Sequence, residues 1–333
     1  MQAIVMNAPG GPEVLESTVL PDPLPAAPTD IVVELKAAGV NPVDTKLRAN
    51  GTYFPDRAPS VLGCDGAGVV TAVGEQVRRF QVGDPVYFCN GGIGADQGSY
   101  AEYTVLDERY AARKPESLSF EQAAAAPLVL ITAWESLHER GRLGAGQRAL
   151  IHAGSGGVGH VAVQLARIAD ARVAATVGDA ERAQWVRDLG AELAISHRET
   201  DFVDAVREWS DGDGAHYALD TVGGSTFART FEALRTYGEL VTLLQPGSDV
   251  DWKPARVRNL RVGLELMLTP QARNLPDARQ RQREILERCA ELFDRGHLEV
   301  AVQEVFPLSD AADAHRRIAR GAMRGKLVLK IRD

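Results

Sequence analysis

Short apolar runs, separated by glycine and proline, dominate the first third of the chain. Five runs rich in β-branched residues predict strands, and they lie at residues 3–6, 31–37, 68–73, 85–88 and 99–105. Gly83-Asp84-Pro85 and Gly91-Gly92 mark turns between them. Strands of this length and spacing are typical of an irregular, mostly antiparallel β domain.

The pattern changes after Ser117, where helical periodicity replaces the short β runs. Ser119-Phe120-Glu121-Gln122 reads as a capping box that opens a helix over residues 123–126. A second helical segment is predicted over residues 133–140. We therefore place a domain boundary after residue 123.

From residue 149 onward, apolar strands alternate with amphipathic helices. The predicted strands cover residues 149–153, 172–177, 193–195, 216–220, 239–244 and 261–267, and the predicted helices cover 158–169, 180–189, 202–209 and 225–234. Such alternation favours a doubly wound parallel sheet with right-handed crossovers. The fold class is thus α/β, with a second, mostly β domain.

The tail holds a long charged helix from Pro276, a strand at 300–306, a helix at 310–320 and a strand at 326–331. It is too short for a third domain, so we expect it to return to the first. With 333 residues and 45% hydrophobic content the chain suffices for two cores. The prediction is one domain from residues 1–123 and 268–333, and another from 124–267.

A glycine-rich loop follows the first strand of this alternating region. It reads Gly154-Ser155-Gly156-Gly157-Val158-Gly159 and leads into an amphipathic helix. In this strand-loop-helix context the spacing predicts a dinucleotide site. Gly154 permits the turn, Gly156 admits the pyrophosphate, Gly159 allows close helix packing, and the helix N-terminus offers N–H groups to the anion.

The choice between NAD and NADP depends on the end of the second strand. Asp179 lies at the spacing of a ribose-binding carboxylate, which predicts NAD. The strand tip itself is Val177-Gly178, however, and Arg182 and Arg198 are placed to grip a 2'-phosphate. We favour NADPH, with NADH as the alternative. A solvated surface charge is the other interpretation of Arg182.

Charge and cysteine content narrow the class of protein further. The net charge of -8 gives no general attraction to nucleic acid or an anionic membrane. Three cysteines without paired spacing fit a reducing cytoplasm rather than a disulfide framework. Neither a leader pattern nor a membrane-spanning apolar stretch is evident, so we expect a cytoplasmic protein.

Several further motifs occur in a fixed order before the glycine loop. They are residues 37–44 (AAGVNPVD), 63–68 (GCDGAG), 98–103 (GSYAEY) and 132–134 (TAW). Together they resemble the quinone oxidoreductase branch of the medium-chain dehydrogenase/reductase family, the branch that includes zeta-crystallin. The resemblance covers nearly the whole chain.

The resemblance implies a GroES-like catalytic domain from both chain ends, a Rossmann domain, and a substrate cleft between them. It also implies a homodimer formed through the strand at 261–267. By the same match, the residues near the nicotinamide are Asn41, Thr132, Leu243, Leu244 and Gln245. Gly157 and Val158 are expected to hold the pyrophosphate, and Gly178 and Arg182 the 2'-phosphate. Lys326 matches a position near the cofactor, and His197 is either near the adenine or in a plain surface turn.

Zinc alcohol dehydrogenases share this fold, so the metal has to be argued from the ligands. That branch has a cysteine at the position of Asn41 and a His-Glu pair at Cys64-Asp65, and its third ligand falls in the apolar stretch 128–132. A tetrahedral site needs three protein ligands and a water, and only Cys64 is plausible here. We predict no catalytic zinc, and the lobe that carries the structural zinc is also missing.

Without a metal, the predicted chemistry is hydride transfer from NADPH to a quinone or an α,β-unsaturated carbonyl. Lys46 and Tyr53 are the candidate groups beside the substrate. Lys46 replaces a tyrosine found in several quinone reductases, and residues 48–53 carry one residue more than the usual spacing. His152 fits strand packing or loop support better than a general base. Asp44 either orients the Asn41 loop or caps a helix.

Two other functions are kept as alternatives. Relatives of this branch include lens crystallins, so a cofactor-binding structural or regulatory role is one of them. A zinc-containing alcohol dehydrogenase is the other.

Overall fold

Both chain ends contribute to one β-rich unit, and the middle of the chain forms another. A computed structural model describes residues 1–332. The first unit consists of Met1–Leu128 together with the segment from Leu268 onward, and the second is Val129–Met267. Residues 124–128, which the sequence analysis assigns to the dinucleotide-binding domain, belong to the first unit.

The N-terminal part of the first unit contains eight strands and two helices. In chain order they are β1 (Gln2–Met6), β2 (Leu15–Val19), β3 (Asp30–Val40), α1 (Pro42–Asn50), β4 (Ser60–Val61), β5 (Asp65–Val73), β6 (Pro85–Cys89), β7 (Tyr103–Asp107), β8 (Ala112–Arg113) and α2 (Phe120–Ala125). The capping box is confirmed, because the Ser119 hydroxyl accepts from the Gln122 N–H and the Gln122 side chain accepts from the Ser119 N–H.

The second unit alternates strands and helices. They are α3 (Pro127–Trp134, which begins in the first unit), a π-helical turn (Glu135–Arg140), β9 (Arg148–Ile151), α4 (Gly157–Ile168), β10 (Arg172–Val177), α5 (Ala180–Asp188), β11 (Leu193–Ser196), α6 (Phe202–Trp209), β12 (Ala215–Asp220), α7 (Gly224–Ala233), β13 (Leu234–Thr242), α8 (Lys253–Val257) and β14 (Arg261–Leu264).

The C-terminal segment then belongs to the first unit. It comprises α9 (Thr269–Ala272), α10 (Pro276–Asp294), β15 (Val302–Pro307), α11 (Ala311–Ala319) and β16 (Lys326–Lys330). Strand β16 lies between β15, with which it is parallel, and β3, with which it is antiparallel.

The predicted fold class is confirmed by the sheets. In the first unit a seven-stranded sheet has the path β15-β16-β3-β5-β6-β8, with β7 also paired to β3, and a three-stranded sheet has the order β2-β1-β4. In the second unit six strands, all parallel, have the order β11-β10-β9-β12-β13-β14. Renumbered within the unit, this is 3-2-1-4-5-6, the order of doubly wound dinucleotide-binding sheets.

Each unit has its own apolar core, as the alternating patterns require. In the first, residues of β3, β5 and β6 pack together, namely Ile31, Val33, Leu35, Val70, Val86 and Phe88. In the second, the sheet packs against α6 and α7 through Leu150, Ala174, Phe202, Ala218, Phe227 and Phe231. The central strands are buried on both faces, which explains their continuous apolar runs.

Two predicted elements differ from the structure. The strand predicted at 99–105 is β7 only from Tyr103, because Ser99 and Tyr100 donate main-chain hydrogen bonds to Gly63 and Leu62. The helix predicted at 133–140 is interrupted after Trp134 by the π-helical turn. The Ser136 carbonyl there accepts from both the Gly141 N–H and the Tyr217 hydroxyl, at 2.9 Å each.

The predicted boundaries of the last two strands of the parallel sheet also need correction. Strand β14 ends at Leu264 instead of residue 267, since its partner β13 ends at Thr242. Strand β13 starts at Leu234, directly after α7, and not at residue 239. Among residues 1–332, none of the helices is both long and apolar enough to span a bilayer.

Candidate functional site

The parallel strands of the second unit end at a common edge. Ile151 at the end of β9 is level with Ala175 of β10 and with Leu219 of β12. The loops that follow these strands therefore meet at one carboxyl edge, which is where open α/β sheets bind ligands. All the predicted cofactor-binding residues of this unit except Thr132 follow one of these strands.

The glycine loop has the local geometry that a phosphate cradle needs. It is tied to the sheet by the Gly154 N–H, which donates to the Thr176 carbonyl at 2.8 Å. A Cβ at Gly159 would overlap the Ala153 carbonyl oxygen, so only glycine lets helix α4 start this close to the loop. A Cβ at Gly156 would meet only that same oxygen, at 3.2 Å. The main chain at Gly156, Gly157 and Val158 is thus approachable at the helix N-terminus.

Three predicted residues gather beyond the second strand. A Cβ at Gly178 would have His197 Nε2 at 3.9 Å and an Arg182 guanidinium nitrogen at 4.0 Å as its nearest neighbours. Asp179 caps α5 by accepting from the Arg182 N–H at 2.9 Å, and it also pairs with the Arg182 guanidinium. This N–H bond and the charges of Arg182 and Arg198 hold the pKa of Asp179 below its usual value. The edge thus combines two arginines and a histidine with a carboxylate.

Asp220, which the sequence analysis did not single out, fixes the next two loops. Its Oδ1 accepts from the N–H groups of Val222 and Gly223 at 2.9 and 2.8 Å, and its Oδ2 from the Thr242 hydroxyl at 2.8 Å. Its main-chain oxygen accepts from the Leu243 N–H at 3.0 Å. Leu243 is therefore anchored to the main chain of Asp220, a fully buried residue, and the Leu244 N–H donates to Thr242 Oγ1 at 3.1 Å.

His152 lies at the same edge but inside the sheet. Thr230 donates its hydroxyl proton to the Thr226 carbonyl, so His152 Nε2–H donates to Thr230 Oγ1, at 2.9 Å. Thr176 Oγ1 is 3.3 Å from Nδ1 and also accepts from the Ala153 N–H. Burial lowers the pKa of His152 to about 4, which keeps the ring neutral. These contacts support the glycine loop, which is the interpretation that the sequence favoured.

In the first unit, Asn41 is the centre of a buried polar cluster. Its Nδ2 donates to Asp65 Oδ2 at 2.9 Å, and its Oδ1 accepts from the Lys326 ammonium. Its main-chain N–H donates to Asp44 Oδ2 at 2.8 Å. Asn41, Asp44 and Asp65 are 0% exposed and Lys326 is 3% exposed. With both ends of its amide bonded, the Asn41 side chain has one orientation.

Asp65 and Lys326 form a buried ion pair around this amide. The ammonium lies 3.8 Å from Asp65 Oδ2 and donates to the Val40 carbonyl at 3.1 Å, while Asp65 Oδ1 accepts from the Leu128 N–H at 2.8 Å. Burial raises the pKa of Asp65 and lowers that of Lys326, and each charge opposes the shift of the other. The two groups stabilise each other's charged form where water is excluded.

Asp44 links this cluster to a second set of buried groups. The Tyr100 hydroxyl lies 3.2 Å from Asp44 Oδ2 and 3.1 Å from His315 Nε2, and Arg48 Nε donates to His315 Nδ1 at 3.2 Å. Burial raises the pKa of Asp44 to about 7, against the hydrogen bond from Asn41. The two sequence-based interpretations of Asp44 are both seen, because it orients Asn41 and lies in the first turn of α1.

Lys46, Tyr53 and Thr132 are the other residues predicted beside the substrate or the nicotinamide. Lys46 is on α1 and exposed, and Tyr53 is 45% exposed with its main-chain N–H bonded to the Ile93 carbonyl at 3.1 Å. Thr132 is buried on α3 in the second unit. Of the four residues predicted to act in catalysis, Asn41, Lys46, Tyr53 and Thr132, only Lys46 and Tyr53 are thus exposed to solvent.

Sequence reasoning missed Tyr100 and His315 as functional candidates and quoted Asp65 only within a motif. The sequence did contain one signal for Asp65. It is a carboxylate among small residues, in the motif Gly63-Cys64-Asp65-Gly66, on a strand that is expected to be buried. Within residues 1–332, no group of three or more His, Cys, Asp or Glu side chains is arranged to hold a metal ion.

Two family models match the chain. The alcohol dehydrogenase GroES-like domain matches residues 27–116, and the zinc-binding dehydrogenase model matches residues 189–329. Among characterised relatives, quinone oxidoreductase 1 of Escherichia coli (strain K12) is 32% identical over 322 residues, which is 96% of each chain.

Solved structures agree over the full length. An alcohol dehydrogenase superfamily protein from Novosphingobium aromaticivorans has a TM-score of 0.91 and 34% identity, covering 99% of each chain. The E. coli quinone oxidoreductase in complex with NADPH has a TM-score of 0.87 and 31% identity, covering 99% of this chain and 100% of that one. A GroES-like unit combined with a Rossmann-type sheet defines an oxidoreductase of the dinucleotide-binding class. The chain belongs to the medium-chain dehydrogenase/reductase family, and quinone oxidoreductases are among its relatives.

Proposed function

We propose that the chain is an NADPH-dependent, zinc-free reductase of quinones or α,β-unsaturated carbonyls. The observation that carries this proposal is the carboxyl edge of the second unit, where the glycine loop and the group Gly178, Arg182 and His197 follow adjacent strands. The E. coli relative is a quinone oxidoreductase whose structure contains NADPH, which supports the same conclusion.

The residues present fit a dinucleotide. Gly156 leaves its main chain open on the ligand side, and the α4 N-terminus would offer the N–H groups of Gly157 and Val158 to the pyrophosphate. Arg182 would hold the 2'-phosphate after exchanging its partner Asp179 for the more highly charged group. The ribose 2'-hydroxyl of NAD carries no charge and cannot replace Asp179 as the partner of Arg182. Arg182 therefore favours NADP over NAD.

When bound, the nicotinamide supplies a hydride to an electron-poor carbon of the substrate. The protein's own contribution is mainly positioning. The Asn41 amide is held between Asp65 and Lys326, and the Leu243 N–H is bound to the main-chain oxygen of Asp220. Tyr53 and Lys46 are exposed and able to donate a proton or a hydrogen bond to a substrate oxygen.

The absence of zinc is proposed from the charges in the first unit. The Lys326 ammonium already provides a positive charge beside Asn41 and Asp65. A divalent cation bound at this cluster would be repelled by that ammonium. The thiols of Cys64 and Cys89 lie together beside the same cluster, and two thiols fall short of the three protein ligands that a catalytic zinc needs.

The test is oxidation of NADPH and of NADH by chelator-treated protein with 1,4-benzoquinone, 9,10-phenanthrenequinone and a simple enone. We expect turnover that survives chelation and prefers NADPH. Arg182→Ala should lower kcat/KM for NADPH by about ten- to a hundredfold, since one charge-assisted contact is lost, and leave the value for NADH nearly unchanged. The control is Arg187→Ala, which removes an exposed charge from the same helix. Loss of turnover on chelation would overturn the zinc-free claim, and equal losses with both cofactors would overturn the Arg182 assignment.

A further inference from the structure

A line of buried polar contacts in the first unit runs beyond anything the proposed function requires. It joins Arg48 of α1, His315 of α11, Tyr100 of the loop before β7, Asp44 of α1 and the main chain of Asn41. The three heavy-atom distances between side chains are 3.2, 3.1 and 3.2 Å, and the last step to Asn41 is 2.8 Å. The 2.8 Å contact has an ordinary hydrogen-bond length, and the other three are long hydrogen bonds.

The hydrogen bonds along this line have one consistent direction. Arg48 Nε has only a proton to donate, so His315 Nδ1 must accept and the neutral ring carries its proton on Nε2. Nε2–H then donates to the Tyr100 oxygen, which leaves the phenol proton for Asp44 Oδ2. Asp44 is the end point, because it accepts from Tyr100 and from the Asn41 N–H at the same oxygen.

Tyr100 is held in place for this role by its packing. Its ring meets that of His315 edge-on, with centroids 5.8 Å apart. Gly63 has a φ of +92°, and a Cβ there would overlap the Tyr100 ring. Since Tyr100 and His315 are both 0% exposed, water does not replace either partner.

The groups around Asp44 determine how strongly its side chain can hold the Asn41 N–H. The Asp65 carboxylate on β5 disfavours a second negative charge nearby, and the Lys326 ammonium on β16 favours it. The Cys64 thiol is 3.9 Å from Asp44 Oδ1, a weak contact. Tyr100 is therefore the strongest side-chain donor to Asp44, with the Asn41 N–H as the main-chain donor.

We propose that Tyr100 and His315 are positioning residues for Asn41, acting through Asp44. The proposal rests on the proposed function only in that Asn41 is taken to contact the nicotinamide end of the cofactor. Without the Tyr100 proton, the Asp44 carboxylate loses a donor and its grip on the Asn41 N–H weakens. The turn that starts α1 then loosens, and the Asn41 amide loses its single orientation.

The first test compares matched variants in the quinone assay. Tyr100→Phe and His315→Leu should each lower kcat by about tenfold, the effect of losing one buried hydrogen bond. His315→Gln retains an N–H toward Tyr100 and should recover most of this loss. Tyr87→Phe is the control, because it also deletes a buried hydroxyl of the same unit, one that donates to the Leu286 carbonyl at 2.5 Å. Its kcat should stay near that of the wild type.

Two binding measurements separate positioning from general damage. NADPH affinity should fall in Tyr100→Phe, whereas affinity for adenosine 2',5'-bisphosphate, which lacks the nicotinamide, should not change. Hydrogen-deuterium exchange of the peptide containing residues 41–47 should rise by about tenfold in Tyr100→Phe and stay unchanged in Tyr87→Phe.

The exchange measurement needs neither turnover nor cofactor, so it judges the positioning even if the wild type reduces no quinone. In that case the proposed function fails, and the exchange result still decides whether Tyr100 and His315 position Asn41. Unchanged exchange at residues 41–47 in both Tyr100→Phe and His315→Leu would overturn the proposal. So would an equal loss of affinity for both nucleotides, or a His315→Gln variant as impaired as His315→Leu.

Discussion

Lys326 contributes to the stability of the fold through its buried charge. Lys326→Met would leave the Asp65 carboxylate and the Asn41 carbonyl without their cation. We expect the free energy of unfolding to fall by about 3–5 kcal/mol, the usual result of removing one partner of a buried pair. Urea titration followed by circular dichroism measures it. In the double variant with Asp65→Asn part of the loss should be recovered, and strictly additive losses would contradict a direct pairing.

A pH dependence follows from His152, whose pKa is about 4 in the folded protein against 6.5 for the free side chain. The unfolded chain binds this proton more readily, so the stability contribution is complete above about pH 6.5 and is lost as the pH falls toward 4. Relative to His152→Gln, the wild type should lose about 2 kcal/mol of unfolding free energy between about pH 7 and pH 5. A pH-independent difference between the two proteins would contradict a buried neutral imidazole.

Single residues were predictable from the sequence only where a local pattern encodes them. The glycine loop is such a pattern, because one turn and one helix start dictate its spacing. Asp44, Tyr100 and His315 are far apart in the chain and become neighbours only when α1, the loop before β7 and α11 pack. No periodicity marks such a group, so it required the structure.

At the level of elements, the loop between β9 and α4 makes a sharp prediction about two glycines. Gly159→Ala places a Cβ onto the Ala153 carbonyl oxygen, so both stability and dinucleotide binding should suffer. Gly156→Ala meets that oxygen only at 3.2 Å, and the φ of -77° at Gly156 suits alanine. We expect it to keep a melting temperature within about 3 °C of the wild type.

Gly156→Ala should nevertheless weaken NADPH binding by about tenfold or more, because its methyl group occupies the side from which the pyrophosphate approaches. Calorimetric melting and fluorescence titration of both variants check this. If the Gly156→Ala variant binds NADPH as tightly as the wild type, the pyrophosphate does not bind at this loop.

Element types were predicted well in the second unit because each strand and helix there has its own hydrophobic period. Two elements were predicted wrongly where the main chain also forms hydrogen bonds with other segments. The Ser136 carbonyl serves two donors and widens the helix after Trp134, and Tyr100 bonds to two other segments before β7 begins. Local patterns carry no information about such competition.

For the whole molecule, we propose a homodimer formed through residues 261–267, which comprise β14 and the three residues after it. Strand β14 is the edge of the six-stranded sheet; its last residue, Leu264, is 64% exposed, and Leu266 just after it is 54% exposed. An apolar edge strand of this kind favours pairing with a second copy. Light scattering should show a dimer that Leu264→Lys converts to monomer, whereas Leu24→Lys, at a 78% exposed leucine of the other unit, should not. A wild-type monomer would refute the proposal.

The divided first unit has a consequence for synthesis on the ribosome. Residues 37–40 of β3 pair with β16, whose residues are made long after them. Until then, this stretch of β3 lacks its partner on that side, and Asn41 lacks the Lys326 ammonium. The second unit, by contrast, is continuous in sequence and is translated completely before α10 begins. The nascent chain therefore contains a complete second unit that can fold while the first unit, which orients Asn41, still lacks its last strand.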